Sequence, residues 1–431
     1  MNYRILAICA TLQAAFIGWA AASTAHKVAG VPLDRYTIVY QASSDTDEGV
    51  VPATELSTRL ADATGITLPV KSSAERVKGP AIYVTNPQNG GTFDYSVNVG
   101  RKKVLIEGGC NWALDRAAGI FADEIAKKND VKNFSASGSV AGEYLFPRTD
   151  GATLRILDDN IWDYSKDTVP EVWRKAGIDC RDAARAPEFA QLVRAYMPDV
   201  LTLQEYSRHM DDEFFPLIEK YGYVNATKGD KTAWNNTPVF YNRDSLELVK
   251  AHYNLFMPSK WSNKGSKSFT SAVLRNKKSG NTFAVICTHL WWKGDAKQPG
   301  STQARASQTR LIMAEAEVLK AKYDCPVFVV GDMNCEESTT PIRQFIEEGY
   351  VPCYKAATVK TNLDNGHHNC APATVGSRAH HRKTADRVGG AIDHCLIYNP
   401  KGAEVKTFDC IQDYFTVKLT DHYPNLIDVT L

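Results

Sequence analysis

The chain has 431 residues, 44% of them hydrophobic and 23% charged. That composition excludes disordered, collagen-like and multi-span membrane chains, and the length suits two or three folding units at about 150 residues each. Lys and Arg total 50 against 49 Asp and Glu, a formal charge of +1, so no whole-chain field draws the protein to polyanions and any phosphate affinity must be local.

Residues 1–25 place one cation, Arg4, before an apolar run from Ile5 to Ala22, followed by the small residues Ser23 and Ala25. This order reads as a secretory signal peptide, cleaved after Ala25 by preference with Ala20 to Ala22 as alternative sites, and otherwise as an uncleaved anchor. The run is short for a bilayer span and no later stretch reaches that length. The mature protein is therefore expected to be secreted or periplasmic, without stable membrane insertion. Removing Cys9 with the signal leaves nine cysteines, an odd number, and Cys287 and Cys325 sit in apolar runs where a small buried hydrophobe is expected. His367, His368 and Cys370 lie close in sequence but lack the paired spacing of a structural zinc site.

Residues 27–147 read as a small accessory α/β domain. Thr37 to Tyr40 is a short apolar strand, and Pro52 opens a helix with Leu56 and Leu60 four apart before Gly65 closes it. Strand-like runs follow at Ala81 to Thr85, Tyr95 to Val99 and Val104 to Ile106. Leu114, Ala118, Phe121 and Ile125 then recur at helical spacing after Trp112. Residues 148–153, with Gly151, read as a linker.

From residue 154 the pattern changes to short apolar strands that end in polar groups. Leu154 to Leu157 leads to Asn160, Val200 to Leu203 to Glu205, Phe283 to Cys287 to His289, and Val327 to Val330 to Asp332 and Asn334. Asp393 follows Ile392, and Asp421 and His422 form a last polar pair. Helices are read between the strands, one from Pro187 and another around Gln303 to Lys322. Strands covered on both faces, with polar groups delivered repeatedly at one rim, describe a layered α/β sandwich. Carboxylates and side-chain amides without thiolates are the hard oxygen donors that magnesium prefers.

The stretches LRILDDNIW, DVLTLQEY, VICTHL, VVGDMN, AIDHCLI and LTDHYP, in this order, resemble the endonuclease/exonuclease/phosphatase superfamily of DNase-like metal-dependent phosphodiesterases, over residues 154–431. The resemblance implies a four-layer α/β/β/α sandwich preceded by the small α/β domain. It also implies hydrolysis of a phosphodiester by metal-assisted attack of water. Glu205 becomes the principal Mg²⁺ ligand, with Asn160 and Asp421 close to the metal and Mn²⁺ as a substitute. By the same resemblance Asp332 would orient the attacking water, Asn334 and His289 would bind phosphoryl oxygens, and His422, held by Asp393, would act as base or as proton-bearing stabiliser, with either Asp332 or His422 taking the proton of the water. Trp162 stands where some members carry an acid, so one principal metal is expected, and Thr420 replaces a frequent serine. The first domain resembles more distantly the accessory domain of hexosaminidases and α-glucuronidases, which implies a cap or a glycan contact.

Nucleic acid is the first substrate class read here, and a phospholipid, sphingomyelin or small phosphodiester the second. A catalytically silent glycan-associated protein is a third reading, against which the intact polar set speaks. Asn235, Asn236 and Thr237 read either as a phosphate-contacting stretch or as a turn before a strand. Arg378, His380, His381, Arg382, Lys383 and Arg387 read as a substrate-tracking loop or as solvated surface. Trp291 and Trp292, just after His289, are candidates to stack on a base, a sugar or a lipid headgroup region.

Overall fold

A computed structural model of the chain describes residues 26–41, 50–85, 93–140, 146–163, 169, 180–227, 234–256, 261, 267–361, 391–411 and 419–431. The signal peptide, the stretch from Arg378 to Arg387 and the group His367, His368 and Cys370 lie outside the described residues. Two units are distinguished, the first containing Glu48–Pro87 and Asp94–Gly138, the second mainly Ser139–Leu431.

In the first unit, strands β1 (Thr37–Tyr40), β2 (Val70–Ser72), β3 (Ala81–Thr85), β4 (Asp94–Val99), β5 (Lys103–Gly108) and β6 (Ser135–Ser139) form one sheet in the order β2-β1-β3-β5-β4-β6. Helices α1 (Val50–Thr64) and α2 (Asn111–Lys127) cover it. Leu56 and Leu60 of α1 and Leu114, Ala118, Phe121 and Ile125 of α2 are buried in one cluster with Ile38, Ile82 and Ile106 of the sheet. Gly65, at φ 75°, ends α1 with its N–H on the Ala61 carbonyl. A residue with a Cβ would be strained there.

The second unit contains two sheets. One takes β7 (Leu154–Asn160), β8 (Val200–Gln204), β9 (Tyr223–Asn225), β10 (Val239–Asn242), β16 (Val359–Thr361), β18 (Glu404–Cys410) and β19 (Asn425–Thr430), in the order β9-β10-β8-β7-β19-β18-β16. The other takes β11 (Leu246–Leu255), β12 (Ser268–Asn276), β13 (Thr282–His289), β14 (Val327–Asp332), β15 (Val351–Pro352) and β17 (Asp393–Tyr398), in the order β11-β12-β13-β14-β17-β15. The strand period of two sorts their side chains. Phe283, Val285, Cys287, Phe328 and Val330 point to a core shared with Leu154, Ile156 and Val200 of the facing sheet. Ala284, Ile286, Val327 and Val329 instead pack with Ile312 and Ala316 of helix α5 (Ser301–Tyr323) and Ile342 and Phe345 of α6 (Thr340–Glu347). On the far side lie α3 (Asp182–Tyr196) and α4 (Arg208–Glu219), where Phe214 meets Phe240 of β10 edge-on with ring centroids 6.5 Å apart. The result is the four-layer α/β/β/α sandwich.

Several boundaries differ from the sequence reading. Helix α3 begins at Asp182, with Pro187 inside it, because Arg181 accepts the first helical bonds from Ala184 and Arg185 before the proline is reached. The β11/β12 pair was not placed from sequence, since the apolar alternation of β11 changes phase at a bulge between Leu248 and Lys250 and half of its residues are exposed. The described cysteines, Cys287 and Cys325 among them, are buried thiols. Residues 146–153 are fastened to the second unit. Arg155 donates to the carbonyls of Phe146 and Pro147, Thr149 donates its N–H to Asp428, and Thr430 donates to the Gly151 carbonyl. Among the described residues no helix is long and apolar enough to cross a membrane.

One glycine sets the register that matters. At Gly331, φ 135°, an added Cβ would lie 2.0 Å from the Thr288 carbonyl oxygen. The bare backbone lets β14 lie against β13 with Asp332 beside His289. Gly331→Ala is expected to lower stability by about 2 kcal/mol or more, as clashes at special backbone positions do. Urea unfolding would show this as a lower midpoint with the slope retained.

Candidate active site

The polar residues at the strand ends meet where the rims of the two sheets converge. Asn160, at the end of β7, donates its side-chain N–H to Asp332 Oδ2 at 2.9 Å, from one sheet to the other. Glu205 follows β8 and faces His289, the last residue of β13, with Oε1 3.8 Å from Nε2. His422, just before β19, hydrogen-bonds through Nδ1 to Asp393 Oδ2 at 2.8 Å, again across the sheets. Its Nε2 lies 3.9 Å from both Asp332 Oδ2 and Asp421 Oδ1. Asn334 donates its backbone N–H to Asp332 Oδ1 at 2.8 Å and its amide to the Leu290 carbonyl. The eight residues singled out from sequence thus gather at one place.

Backbone conformation aims several of these groups. Trp162, Glu205 and Asn334 have φ of 55°, 58° and 52°, a left-handed region that costs a non-glycine residue free energy and persists only where surroundings enforce it. Asn160 Oδ1 accepts the Trp162 N–H, and Glu205 Oε2 accepts the Asp163 N–H. Thr420 explains its own hydroxyl: Oγ1 donates to the Asn160 carbonyl at 2.5 Å and accepts the His422 N–H.

Charge follows from burial and company. Burial works against a charged His422, yet Asp393 and then Asp332 and Asp421 hold its imidazolium well above the usual range. Burial also works against an ionised Asp332, but His289, His422 and Lys267 keep its carboxyl below the usual range. The same opposition, with His289 and Lys267 prevailing, holds Glu205 low. Asp421 is pushed up to about 6, by burial first and with the neighbouring Glu205 adding to it.

The donor set fits a hard divalent cation. Asp332, Asp393 and His422 place ligand atoms within 4.8 Å of one another, but His422 and Asp393 are bonded to each other and an imidazolium does not ligate. Asp332 accepts an N–H on each oxygen, from Asn160 and from Asn334, which leaves Glu205 and Asp421, whose Oδ1 is buried without a hydrogen-bond partner, as the carboxylates best suited to a cation. Asn160 Oδ1, the side-chain oxygen that accepts the Trp162 N–H, would complete with them an all-oxygen set of the kind Mg²⁺ takes.

Two residues that shape the site were missed from sequence. Lys267, fully buried just before β12, lies 2.5 Å from His289 Nε2, and burial pushes its ammonium down to about 8. A single lysine in a polar run carried no signal. Arg185 is buried in α3 and donates to the carbonyls of Ile161 (2.6 Å), Trp162 (2.8 Å) and Leu419 (2.9 Å) and to Asp182 (2.7 Å). One guanidinium thereby ties the turn after Asn160 to the turn before Asp421. Its signal was a cation in register with Phe189, Leu192 and Tyr196 on the apolar face.

Other candidates are structural. Asn235 donates to Thr227 and Thr270 and caps the Thr237 N–H, and Asn236 donates to the Tyr206 carbonyl, so this stretch is the turn before β10. Trp291 is buried, with its indole N–H on Ser301. Arg185→Met is expected to cost about 3 kcal/mol or more, because three buried carbonyls and the Asp182 carboxylate lose their donor. Arg185→Lys, which keeps the charge without the planar fork, should recover only part of that in denaturant unfolding.

Residues 178–422, more than half of the chain, match the model of the Endonuclease/Exonuclease/phosphatase family. Human Nocturnin is 25% identical over 163 residues, 36% of this chain and 36% of that protein. The chain thus matches about a third of the length of this curated relative. Among solved structures, a family protein from Bacteroides thetaiotaomicron has a TM-score of 0.50 at 16% identity and covers 64% of this chain and 97% of its own. One from Bacteroides vulgatus has a TM-score of 0.49 at 18% identity, covering 64% and 98%. The strand-end polar set, apart from Asn160, lies inside the span matched by the family model: the chain belongs to the Endonuclease/Exonuclease/phosphatase family.

Proposed function

We propose that the second unit is a Mg²⁺-dependent phosphoric ester hydrolase acting on a phosphodiester, with nucleic acid or a nucleotide as the substrate class. The observation that carries this is His422, held through Nδ1 by Asp393 so that Nε2 faces Asp332 and Asp421 beside the Glu205 carboxylate. A phosphodiester repels hydroxide by its own charge, so hydrolysis needs charge neutralisation, an oriented water and proton transfer.

Glu205, Asp421 and Asn160 would hold the cation, which when bound supplies Lewis-acid neutralisation of phosphoryl charge. Asp332 is fixed on one oxygen by the Asn334 N–H and on the other by the Asn160 amide. A carboxylate so oriented is suited to take the proton of the attacking water. His422, flanked by carboxylates, carries its proton at Nε2 toward the reacting phosphate and serves as the stabilising cation and acid. Lys267, against His289, adds a second fixed positive charge for phosphoryl oxygens.

The reading of residues 1–25 as a signal peptide adds that the enzyme works outside the cytoplasm. Terminal sequencing of the exported product should begin at His26, and a product that retains Met1 would overturn that reading.

A magnesium-dependent panel of DNA, RNA, sphingomyelin, phosphoinositides and bis(p-nitrophenyl) phosphate tests the class. Glu205→Gln should abolish metal-dependent turnover with the circular-dichroism spectrum unchanged, and chelation should silence the wild type until Mg²⁺ or Mn²⁺ is returned. His422→Ala and Asp332→Asn should each lower kcat by about a hundredfold or more, the scale of losing an acid or base. Wild-type rates in these variants would remove the assigned roles.

A further inference from the structure

Trp292 is 48% exposed, whereas every other described tryptophan is buried or half-buried. An indole left in water forfeits a large apolar burial, and here the cause is a backbone held on both sides of it. Leu290 donates its N–H to the Asp332 carbonyl at 3.0 Å and accepts the Asn334 amide at 3.2 Å. Trp291 is fastened to α5 through its N–H on Gln308 (3.0 Å) and its indole N–H on Ser301 (3.2 Å). Arg305, also on α5 and buried, donates to the carbonyls of Trp291 (3.1 Å) and Lys293 (2.8 Å). Segment 290–293 therefore has one fixed course, and Trp292 is the residue it turns outward.

That course runs beside the proposed chemistry. Trp292 stands three residues after His289, a reach of at most about 11 Å between Cα atoms. The residue two before it touches both Asp332 and Asn334. Lys293 Nζ lies 5.2 Å from the centre of the Trp292 ring and 5.8 Å from that of Trp291. The Lys293 ammonium lies over the Trp292 ring, so a half-exposed indole with a cation over one face, and its other face as the place to stack, matches a ligand that is flat, π-bearing and anionic. A neutral sugar would want hydrogen-bond acceptors as well, and the carboxylate of Asp295 in this segment is spent on the N–H groups of Gly300 and Thr302. A lipid surface would want more apolar area than one side chain, and Leu290 and Trp291 are both buried.

We propose that Trp292, with Lys293 beside it, is a stacking platform for a nucleobase of a nucleotide-containing phosphoric ester bound at the neighbouring site. This rests on the phosphoesterase reading above and narrows its substrate class. Base–aromatic stacking tolerates any base, so the platform would favour nucleotides over other diesters without selecting a sequence.

The test is steady-state kinetics on a dinucleoside monophosphate and on its two abasic counterparts, each lacking one base. Trp292→Ala should raise KM for the intact substrate about tenfold more than for one of the two abasic forms, the scale of a lost base–aromatic stack. Trp292→Phe, which keeps an aromatic face, should restore most of that difference. Equal penalties on all three substrates, or none on the intact one, would overturn the platform. Should the wild type hydrolyse none of them, the phosphoesterase reading fails separately. Equilibrium dialysis with labelled adenosine monophosphate then decides the platform, with wild type binding about tenfold tighter than Trp292→Ala supporting it and equal binding overturning it.

Discussion

The site depends on two sheets holding their rims in register. Asn160 with Asp332, Glu205 with His289, and His422 with Asp393 are each a pair in which one member lies in or next to a strand of the seven-stranded sheet and the other in a strand of the six-stranded sheet. No single strand or loop contains the chemistry. The apolar layer between the sheets, with Phe283, Val285, Phe328 and Val330 facing Leu154, Ile156 and Val200, sets the spacing over which these short side chains must meet. Protein interiors are close-packed, so that spacing is stiff, and Gly331 removes the one Cβ that would force β13 and β14 apart beside the site.

Burial at the rim concentrates charge that must balance locally. Beneath Asn160, Asp158 accepts from Thr202 and Gln204, and burial still pushes its carboxyl up to about 7. Above it, Asp332, Glu205 and Asp393 face Lys267, His289 and His422, so acid and base alternate across the cleft. Asp421 is pushed up to about 6, by burial first and with Glu205 adding to it, although His422 works the other way. The oxygens of Asp421 and Glu205 are thus where an external divalent cation gains most.

Precision comes from residues that touch no substrate. Arg185 fastens three carbonyls from two separate turns, and Thr420 ties the last of those turns to the Asn160 carbonyl. Such contacts stabilise the left-handed backbone at Trp162 while fixing the directions in which Asn160 and Asp421 leave the strands. Arg305 does the same on the other sheet for segment 290–293. Rigid supports under short side chains hold a constellation to the tolerance that catalysis requires.

The sequence by itself determined the kind of fold and the cast of the site. Two-sided apolar runs ending in polar residues describe buried strands whose ends carry chemistry, and that pattern is local, so Asn160, Glu205, His289, Asp332 and Asn334 were legible in it, while Asp393, Asp421 and His422, which precede or open their strands, gained their roles from the family resemblance. The helical spacing of Leu114, Ala118, Phe121 and Ile125 was legible for the same reason. The family resemblance already implied that Asp393 holds His422, but tertiary structure alone decided that Asn160 meets Asp332 and Glu205 meets His289, because each of these pairs joins residues far apart in sequence. It also brought Lys267 against His289 and turned Arg185 inward, where burial and the carbonyls it meets, rather than any local pattern, give the cation its purpose. The two adjacent tryptophans read alike in sequence. Packing separated them, placing Trp291 under α5 and leaving Trp292 in water, because a chain held at both neighbours can bury only one of two consecutive side chains on the same side.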